Sequence, residues 1–336
     1  MRRPRDPGLP SLAELLASFP RAEVVVAGDF VADEYVYGET DRISREAPVL
    51  IVRYESSELK AGCAGNAALG LAALGVAVRA VGVVGEDAPG AALADVLARG
   101  GVDISGLVRV AGRPTEVKTL VLAGGRSTRR QQMLRIDRAA AEPLPAKAER
   151  ALVQELRRAA RRAQCVLASD YGSGAVGPAV KDALRALRRG GLPVCADSRY
   201  ALRTFHGLTM LKPNEVELEA ASGRSVAGPG ALERAARALL RKVQCEMLLV
   251  TRGRNGMSLF RAGRPPVHVP AHGSLDAVDV TGAGDTVAAA FSAGLAAGGD
   301  PIEAARLANV AGALVVQKPG TAVVTRDELA AELGRA

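Results

Sequence analysis

The sequence has few aromatic residues and no tryptophan. Phe, Trp and Tyr make up 3% of the 336 residues, although the chain carries a net charge of +8. Sites for single-stranded nucleic acid combine a basic groove with aromatic side chains that stack on bases. Here the arginines are spread along stretches of helical pattern such as 150–162 and 185–189. We therefore expect solvated helix faces and a substrate that carries phosphate, and no nucleic-acid partner.

Long hydrophobic runs and paired cysteines are also missing. No uninterrupted apolar segment reaches the roughly 20 residues that cross a membrane, and residues 1–6 are not followed by the apolar core of a signal peptide. Cys63, Cys165, Cys195 and Cys245 show no CxxC or metal-ligand spacing. The sequence therefore predicts a soluble cytoplasmic protein with reduced cysteines and no membrane partner.

The most informative stretch is the heptapeptide from Asp279 to Asp285, which precedes an apolar run. Gly282, Ala283 and Gly284 leave the backbone nearly bare where a loop becomes a helix, so that successive N–H groups can converge on an anion. Asp285 could then accept a proton from a hydroxyl that attacks phosphorus. This pattern indicates phosphoryl transfer. The alternative is a glycine-rich helix start in which Asp285 only complements the helix dipole.

The rest of the chain alternates between strand and helix patterns. Strands are predicted near 165–169, 193–197, 208–211 and 246–251, with helices between and after them. Repeated β-α units predict an α/β fold with a mostly parallel sheet covered on both faces, and ligands at the carboxyl ends of its strands. Polar residues occur at these predicted ends: Asp29, Asp170, Asp197, Asn214 and Thr251.

Two insertions depart from this alternation. Residues of about 35–60 and 112–137 have strand patterns around turns, which predicts a small separate β-sheet that acts as a lid. Residues 1–20 read as an N-terminal extension with a short amphipathic helix at 11–19. We therefore expect one domain over 21–336 that carries the lid strands.

The heptapeptide resembles the C-terminal signature of the ribokinase-like, or PfkB, carbohydrate kinases, which have a three-layer α/β/α fold. Four further stretches, in the right order, are similar to the kinase half of the bacterial D-glycero-D-manno-heptose 7-phosphate kinases: 28–38, 42–49, 131–137 and 169–172. The resemblance covers roughly residues 20–330. In many relatives this half is fused to a nucleotidyltransferase domain, whose HxGH-type motif is not found here, so we expect a stand-alone kinase.

The resemblance implies a reaction and the residues that perform it. ATP would phosphorylate the C1 hydroxyl of the heptose 7-phosphate to give the 1,7-bisphosphate, with Asp285 as general base and the amides of Gly282, Ala283 and Gly284 as the anion hole. The implied sugar-binding residues are Asp29, Asp33, Gly62, Cys63, Asn66, Lys118, Arg135 and Asp170. The implied nucleotide-binding residues are Asn214, Glu217, Thr251, Arg252, Gly253 and Asn309.

Metal ions and further phosphate contacts follow from the same resemblance. Asn214 and Glu217 would organise Mg²⁺ through water, and Asp279 and Thr281 are candidates for a monovalent cation such as K⁺. Arg126, Arg129 and Arg130 either add contacts to the sugar phosphate or form a solvated turn. Relatives often pair through the lid sheet, so a homodimer is expected.

Two departures from the pattern affect the substrate. Gly62-Cys63 stands where a Gly-Gly pair is usual, and a Cβ there narrows the approach to the sugar. Asp197-Ser198-Arg199 replaces the more usual Asp-Pro-Lys. One alternative is therefore the same chemistry on another sugar, sugar phosphate or nucleoside. A second alternative is a non-catalytic protein that binds sugar or nucleic acid.

Overall fold

A computed structural model describes residues 11–125, 130–140, 142–273 and 276–335. Within these residues the chain forms two sheets and ten α-helices. The strands are β1 (Glu23–Gly28), β2 (Phe30–Ile43), β3 (Leu50–Cys63), β4 (Ala77–Gly85), β5 (Val102–Val110), β6 (Val117–Gly124), β7 (Gln131–Arg138), β8 (Cys165–Asp170), β9 (Val194–Ser198), β10 (Met210–Leu211), β11 (Met247–Thr251), β12 (Met257–Arg261) and β13 (Val267–Val269). The helices are α1 (Leu12–Ser18), α2 (Ala64–Ala73), α3 (Ala88–Arg99), α4 (Ala146–Ala159), α5 (Pro178–Arg189), α6 (Glu215–Ser222), α7 (Ala231–Val243), α8 (Ala283–Ala296), α9 (Pro301–Val315) and α10 (Arg326–Arg335).

The large sheet has nine strands in the order β13-β12-β11-β10-β9-β8-β1-β4-β5. Its strands from β11 to β5 pair in parallel, and β12 and β13 add an antiparallel edge. The mostly parallel sheet is as predicted. The antiparallel edge was not predicted.

Both faces of this sheet are buried, as the alternation along β1 shows. Val24 and Val26 pack into one apolar cluster with α1–α3 and α8–α10, whereas Val25 and Ala27 pack into a second cluster with α4–α7. Successive side chains of a strand point to opposite faces, so an unbroken apolar run such as this one serves two helical layers. The three-layer α/β/α arrangement is therefore confirmed.

Helix α8 is buried around most of its circumference. It packs against α2 and α9 and contacts β8 and β9, and its side chains from Asp285 to Gly294 are all buried. A helix that is apolar on every side belongs in the interior, which explains the long run of small residues after the heptapeptide. This packing fixes the N-terminus of α8 at the carboxyl ends of the central strands.

The second sheet, here called the lid sheet, has the order β3-β2-β6-β7. Its strands β2 and β3 form a long hairpin that starts earlier and ends later than the predicted 35–60. β2 pairs in parallel with β6, and β7 closes one edge with every residue exposed. The two insertions therefore meet in one separate sheet.

The described structure also bears on the membrane and cysteine expectations. Among the described helices, none combines the length and apolar character needed to span a membrane. All four cysteines are free and buried.

Candidate active site

A cavity of about 850 Å³ lies between the carboxyl ends of the large sheet and the lid sheet. Its wall includes residues from the lid strands, from the loops after β8–β11, and from the start of α8. Eleven of the predicted site residues line it: Asp33, Cys63, Lys118, Arg135, Asn214, Glu217, Thr251, Thr281, Gly282, Gly284 and Asp285. The site therefore lies where the topology of a parallel sheet predicts.

Asp285 is held in the first turn of α8 by two hydrogen bonds from distant parts of the chain. Asn66 Nδ2 donates to Asp285 Oδ2 at 2.9 Å, and the Tyr171 hydroxyl donates to Oδ1 at 2.8 Å. Asp285 is 5% exposed. Because each carboxylate oxygen accepts from one of these donors, the carboxylate is fixed in orientation and keeps lone pairs for a substrate hydroxyl.

The pKa of Asp285 is suited to general-base chemistry. Burial raises it to about 6, the negative charge of Asp197 adds to the rise, and the hydrogen bonds from Asn66 and Tyr171 oppose it. Burial favours the neutral acid, and donors to the ionised form favour the carboxylate. The carboxylate is therefore ionised at neutral pH and more basic than an exposed aspartate.

The start of α8 needs glycine for reasons of space. Gly282 is the N-cap with φ 76°, and a Cβ on it would lie 2.5 Å from Asn66 Nδ2. The amide of Ala283 donates to the carbonyl oxygen of Val280 at 3.2 Å. The following amides of the first turn, such as that of Gly284, have no intrahelical acceptor. This end of the helix is therefore a candidate cradle for an anion.

Asp33 lines the cavity beside the lid sheet, and Gly62 lies against its carboxylate. Asp33 Oδ1 is buried without a hydrogen-bond partner, and burial raises the pKa of this carboxyl group, against the opposing charge of Lys118. A Cβ on Gly62 would lie 2.5 Å from the carboxylate of Asp33. A buried acceptor without a donor indicates a position for a ligand hydroxyl.

Two cations project from the lid strands into the same cavity. Lys118 Nζ donates to Cys63 Sγ at 3.3 Å. Arg135 donates through Nε and Nη2 to the carboxylate of Asp137, at 2.6 and 2.7 Å.

The arginine turn next to these cations contributes one described residue. Arg130 pairs with Glu55 and stands over the ring of Tyr37, at 5.4 Å from its centre. Arg126 and Arg129 lie outside the described residues. Lys118 and Arg135 are therefore the lid cations that the described structure brings to the cavity.

Cys63 has a backbone conformation that is rare for a residue with a Cβ. Its φ is 54° and its ψ is −125°. The thiol is buried, 6% exposed, and lines the cavity. Since glycine adopts positive φ freely and other residues pay for it, the conformation explains why a glycine is usual here. The departure noted in the sequence is thus a strained one.

A second cavity of about 370 Å³ adjoins the first and shares Thr251, Val280 and Gly284 with it. Gly253, Ala283 and Asn309 also line it. Asn309 Nδ2 donates to the carbonyl oxygen of Pro270 at 2.8 Å. Two cavities that meet at the start of α8 suit two substrates that exchange a group there.

Asn214 and Glu217 form a reciprocal cap at the start of α6. The amide of Glu217 donates to Asn214 Oδ1 at 2.8 Å, and the amide of Asn214 donates to Glu217 Oε2 at 2.9 Å. Across the described ranges there is no group of three or more His, Cys, Asp or Glu that could hold a metal ion. The Glu217 carboxylate on the cavity wall fits Mg²⁺ that keeps most of its water and arrives with nucleotide phosphates.

Six predicted residues line neither cavity: Asp29, Gly62, Asn66, Asp170, Arg252 and Asp279. Gly62 lies against the carboxylate of Asp33, and Asn66 donates to Asp285. Asp29 accepts from the amides of Tyr171, Ser173 and Ala175. Asp170 accepts from the Ser198 hydroxyl and the Gly172 amide. Arg252 pairs with Glu215, and Asp279 accepts from the amides of Thr281 and Gly320. The carboxylates of Asp29 and Asp170 thus hold loops of the protein, and their contact with the sugar stays a prediction.

The family follows from the sequence pattern that the chain shares with known kinases. The pattern described as pfkB family carbohydrate kinase matches residues 21–327. The chain belongs to this family. It is therefore an ATP-dependent sugar kinase, and ATP and Mg²⁺ are its cofactors.

Curated relatives of this kinase are longer than the chain. Bifunctional protein HldE of Pelobacter propionicus is 40% identical over 321 residues, which are 95% of this chain and 64% of the relative. The protein of the same name from Caulobacter sp. is 41% identical over 322 residues, with 95% and 64% covered. The kinase thus spans just under two thirds of the length of these relatives.

Solved structures show the same fold. The ribokinase of Arabidopsis thaliana complexed with ribose and ATP has a TM-score of 0.73 at 24% identity, with 93% of this chain and 98% of that chain covered. Phosphofructokinase-2 of Escherichia coli in complex with potassium has a TM-score of 0.75 at 19% identity, with 94% and 98% covered.

Three residues of the kinase site were not predicted as functional. Tyr171 lies in a stretch quoted for the resemblance, but no role was assigned to its hydroxyl. Lys212 and Asp197 form a buried ion pair at 3.0 Å on the cavity wall. The position of Lys212 directly before Pro213-Asn214 was the available signal.

The strain at Cys63 predicts that glycine is more stable than alanine at this position, whereas alanine is usually the more stable of the two in a strand. We expect Cys63→Gly to be more stable than Cys63→Ala by about 1–3 kcal/mol, because alanine keeps the Cβ that disfavours this conformation and glycine does not. The free energy of unfolding from urea titrations measures the difference. At Ala80, which is buried in a strand without positive φ, the change to glycine should be destabilising. Equal stability of the two Cys63 variants would contradict the interpretation.

Proposed function

We propose that this kinase is cytoplasmic and uses ATP to phosphorylate the C1 hydroxyl of D-glycero-D-manno-heptose 7-phosphate. The observation that carries the proposal is the Asp285 carboxylate, fixed by two donors and facing a cavity that also holds lid cations. The stretches similar to heptose 7-phosphate kinases and the HldE relatives support the choice of sugar.

The reaction follows from the positions of these groups. The substrate hydroxyl gives its proton to Asp285 as its oxygen bonds to the γ-phosphorus of ATP. The bond from that phosphorus to the oxygen shared with the β-phosphate breaks, and ADP leaves. Amides at the start of α8 stabilise the charge on the phosphoryl group in transit. Residues of the 370 Å³ cavity, with Asn309, hold the nucleotide.

The sugar end of the cavity suits a phosphorylated acceptor. Asp33, with its unpartnered oxygen, accepts a sugar hydroxyl, and Gly62 allows the close approach of this carboxylate. Lys118 and Arg135 bind the 7-phosphate, for which a guanidinium fork is well matched. Asp137 holds the guanidinium of Arg135 in place.

An acceptor other than the heptose is the second candidate. The buried Cys63 thiol and its contact with Lys118 alter the wall of the sugar pocket relative to the usual Gly-Gly pair. The chemistry would be unchanged, and the acceptor would be another sugar or sugar phosphate.

A panel of acceptors tests the substrate and the base together. We expect ADP release with Mg²⁺ and ATP only for a heptose 7-phosphate, among both anomers of it, fructose 6-phosphate, ribose and adenosine. Asp285→Asn should lower kcat by at least about 10²-fold, since positioned proton transfer contributes 10²–10⁴-fold. Running the panel in K⁺ and in tetramethylammonium tests the monovalent cation proposed for the loop with Asp279 and Thr281.

The panel separates the parts of the proposal. Turnover of another acceptor would contradict the choice of the heptose but not the kinase activity. Full activity of Asp285→Asn would contradict the role of Asp285 as the base. The matched variant Asp276→Asn, in the loop before the heptapeptide, should keep normal kcat.

The pKa of Asp285 predicts the acidic limb of activity. We expect kcat/KM to fall below a pH of about 6, because only the ionised carboxylate accepts a proton. The second ionisation of a phosphate also lies near pH 6, so the wild-type profile alone is ambiguous. Asn66→Ala removes a donor to the ionised form and should move the limb to higher pH. A limb that stays in place would assign it to the phosphate.

We also propose that the kinase is a homodimer that pairs through the lid sheet. Large apolar side chains are exposed on its strands, with Leu50 51%, Tyr54 62%, Leu134 55% and Ile136 48% exposed. Contiguous exposed apolar surface and open strand edges mark association sites. A second copy of the chain presents the same surface and would cover the exposed apolar side chains and the open strand edge.

Sedimentation tests the dimer directly. We expect a dimer mass at micromolar concentration, and a monomer mass for Leu134→Lys/Ile136→Lys, because a buried lysine opposes pairing. Val216→Lys, at an apolar residue of α6 that is 76% exposed, should stay dimeric. A monomeric wild-type protein would refute the proposal.

A further inference from the structure

A buried lysine lies in the active site without a role in the chemistry described so far. Lys212 follows β10, is 4% exposed and lines the 850 Å³ cavity. A Cβ on Gly284 would lie 3.3 Å from Lys212 Nζ. The ammonium therefore stands over the first turn of α8, at the place where the two cavities meet.

The neighbouring strand supplies the partner of this lysine. Asp197, near the end of β9, accepts from Lys212 with an Nζ–Oδ2 distance of 3.0 Å. The Lys212 amide also donates to the carbonyl oxygen of Ala196 at 3.0 Å. An ammonium has three N–H donors, so the contact with one carboxylate oxygen leaves donors for a ligand in the cavity.

The charges around Lys212 keep it protonated. Burial opposes the ammonium form, but Asp197, Glu217 and Asp285 together raise the pKa of Lys212 above its ordinary value. A compact, always charged donor at the cradle suits the oxygens of a phosphoryl group.

We propose that Lys212 is a catalytic residue that donates to a non-bridging oxygen of the phosphoryl group in transit, and that Asp197 positions its ammonium. The lysine keeps its proton throughout, and the proton of the acceptor hydroxyl goes to Asp285. This assignment rests on the cradle proposed above and does not depend on which sugar is phosphorylated.

A purely structural role is the competing explanation. A buried ion pair contributes little to stability compared with well-packed apolar side chains, whereas removing one partner leaves a costly unpaired charge. A structural pair would therefore affect folding and would affect all nucleotides alike. A lysine that contacts the transferred phosphoryl group would distinguish nucleotides by their γ-phosphate.

The test compares nucleotide affinities in a variant that leaves no buried charge unpaired. Lys212→Met/Asp197→Asn is titrated calorimetrically with ADP and with AMP-PNP, an analogue that keeps the γ-phosphate, both with Mg²⁺. We expect ADP affinity to stay within about twofold and AMP-PNP affinity to fall about tenfold. With an acceptor that the wild type uses, kcat should fall by about 10²–10³-fold, as for the loss of one oxyanion donor.

Two further variants keep the proposal falsifiable. Lys212→Arg keeps the charge in a larger group and should fold, bind ADP normally and lose kcat; if the double variant does not fold, this variant decides. Lys181→Met, at a lysine on α5 that stands over the ring of Phe205, should leave both affinities and kcat unchanged.

The outcomes separate this proposal from the choice of sugar. Equal losses of ADP and AMP-PNP affinity, or unchanged AMP-PNP affinity and kcat in a folded variant, would overturn it. If the wild type phosphorylates no acceptor in the panel, the ratio of the two affinities still decides the role of Lys212, and only the substrate proposal fails.

Discussion

The burial of one ionised carboxylate constrains the rest of this kinase site. Asp285 is 5% exposed, and a buried charge is costly unless donors replace the lost water. Asn66 and Tyr171 supply two such donors, and the N-terminal dipole of α8 favours a negative charge in its first turn. The same features that make the charge tolerable also orient the base, because the hydrogen bonds hold the carboxylate in one position before the substrate binds.

The sheet brings together donors that are far apart in the chain. Asn66 and Tyr171 are 219 and 114 residues from Asp285. Helix α2, which carries Asn66, packs on α8, and the strand β8 that precedes Tyr171 runs beneath it. The tight apolar packing around α8 therefore supports the chemistry. If the helix could shift, the Asp285 carboxylate would move away from both donors.

Local patterns in the sequence predicted much of the fold and part of the site. The contacts between distant parts of the chain were not predicted. The short helix within 11–19, the start of α8 and the parallel sheet follow from spacing within a few residues. The sequence also placed polar residues at strand ends correctly. It could not say which acceptor meets which donor, such as the three loop amides that donate to Asp29. The pairing of Lys212 with Asp197 joins two strands, and no spacing in the sequence encodes it.

The contacts of Asp29 show how the site is supported. Its carboxylate accepts from three amides of the loop 171–175, and that loop carries the tyrosine whose hydroxyl fixes Asp285. Asp29 therefore acts on the base at one remove, through the position of Tyr171. A carboxylate at a strand end can bind a ligand, or it can hold a loop that binds the ligand. The residue type is the same in both cases, so the sequence does not distinguish them. The distinction lies in whether backbone amides already satisfy its oxygens, as they do for Asp29 and do not for Asp33 Oδ1.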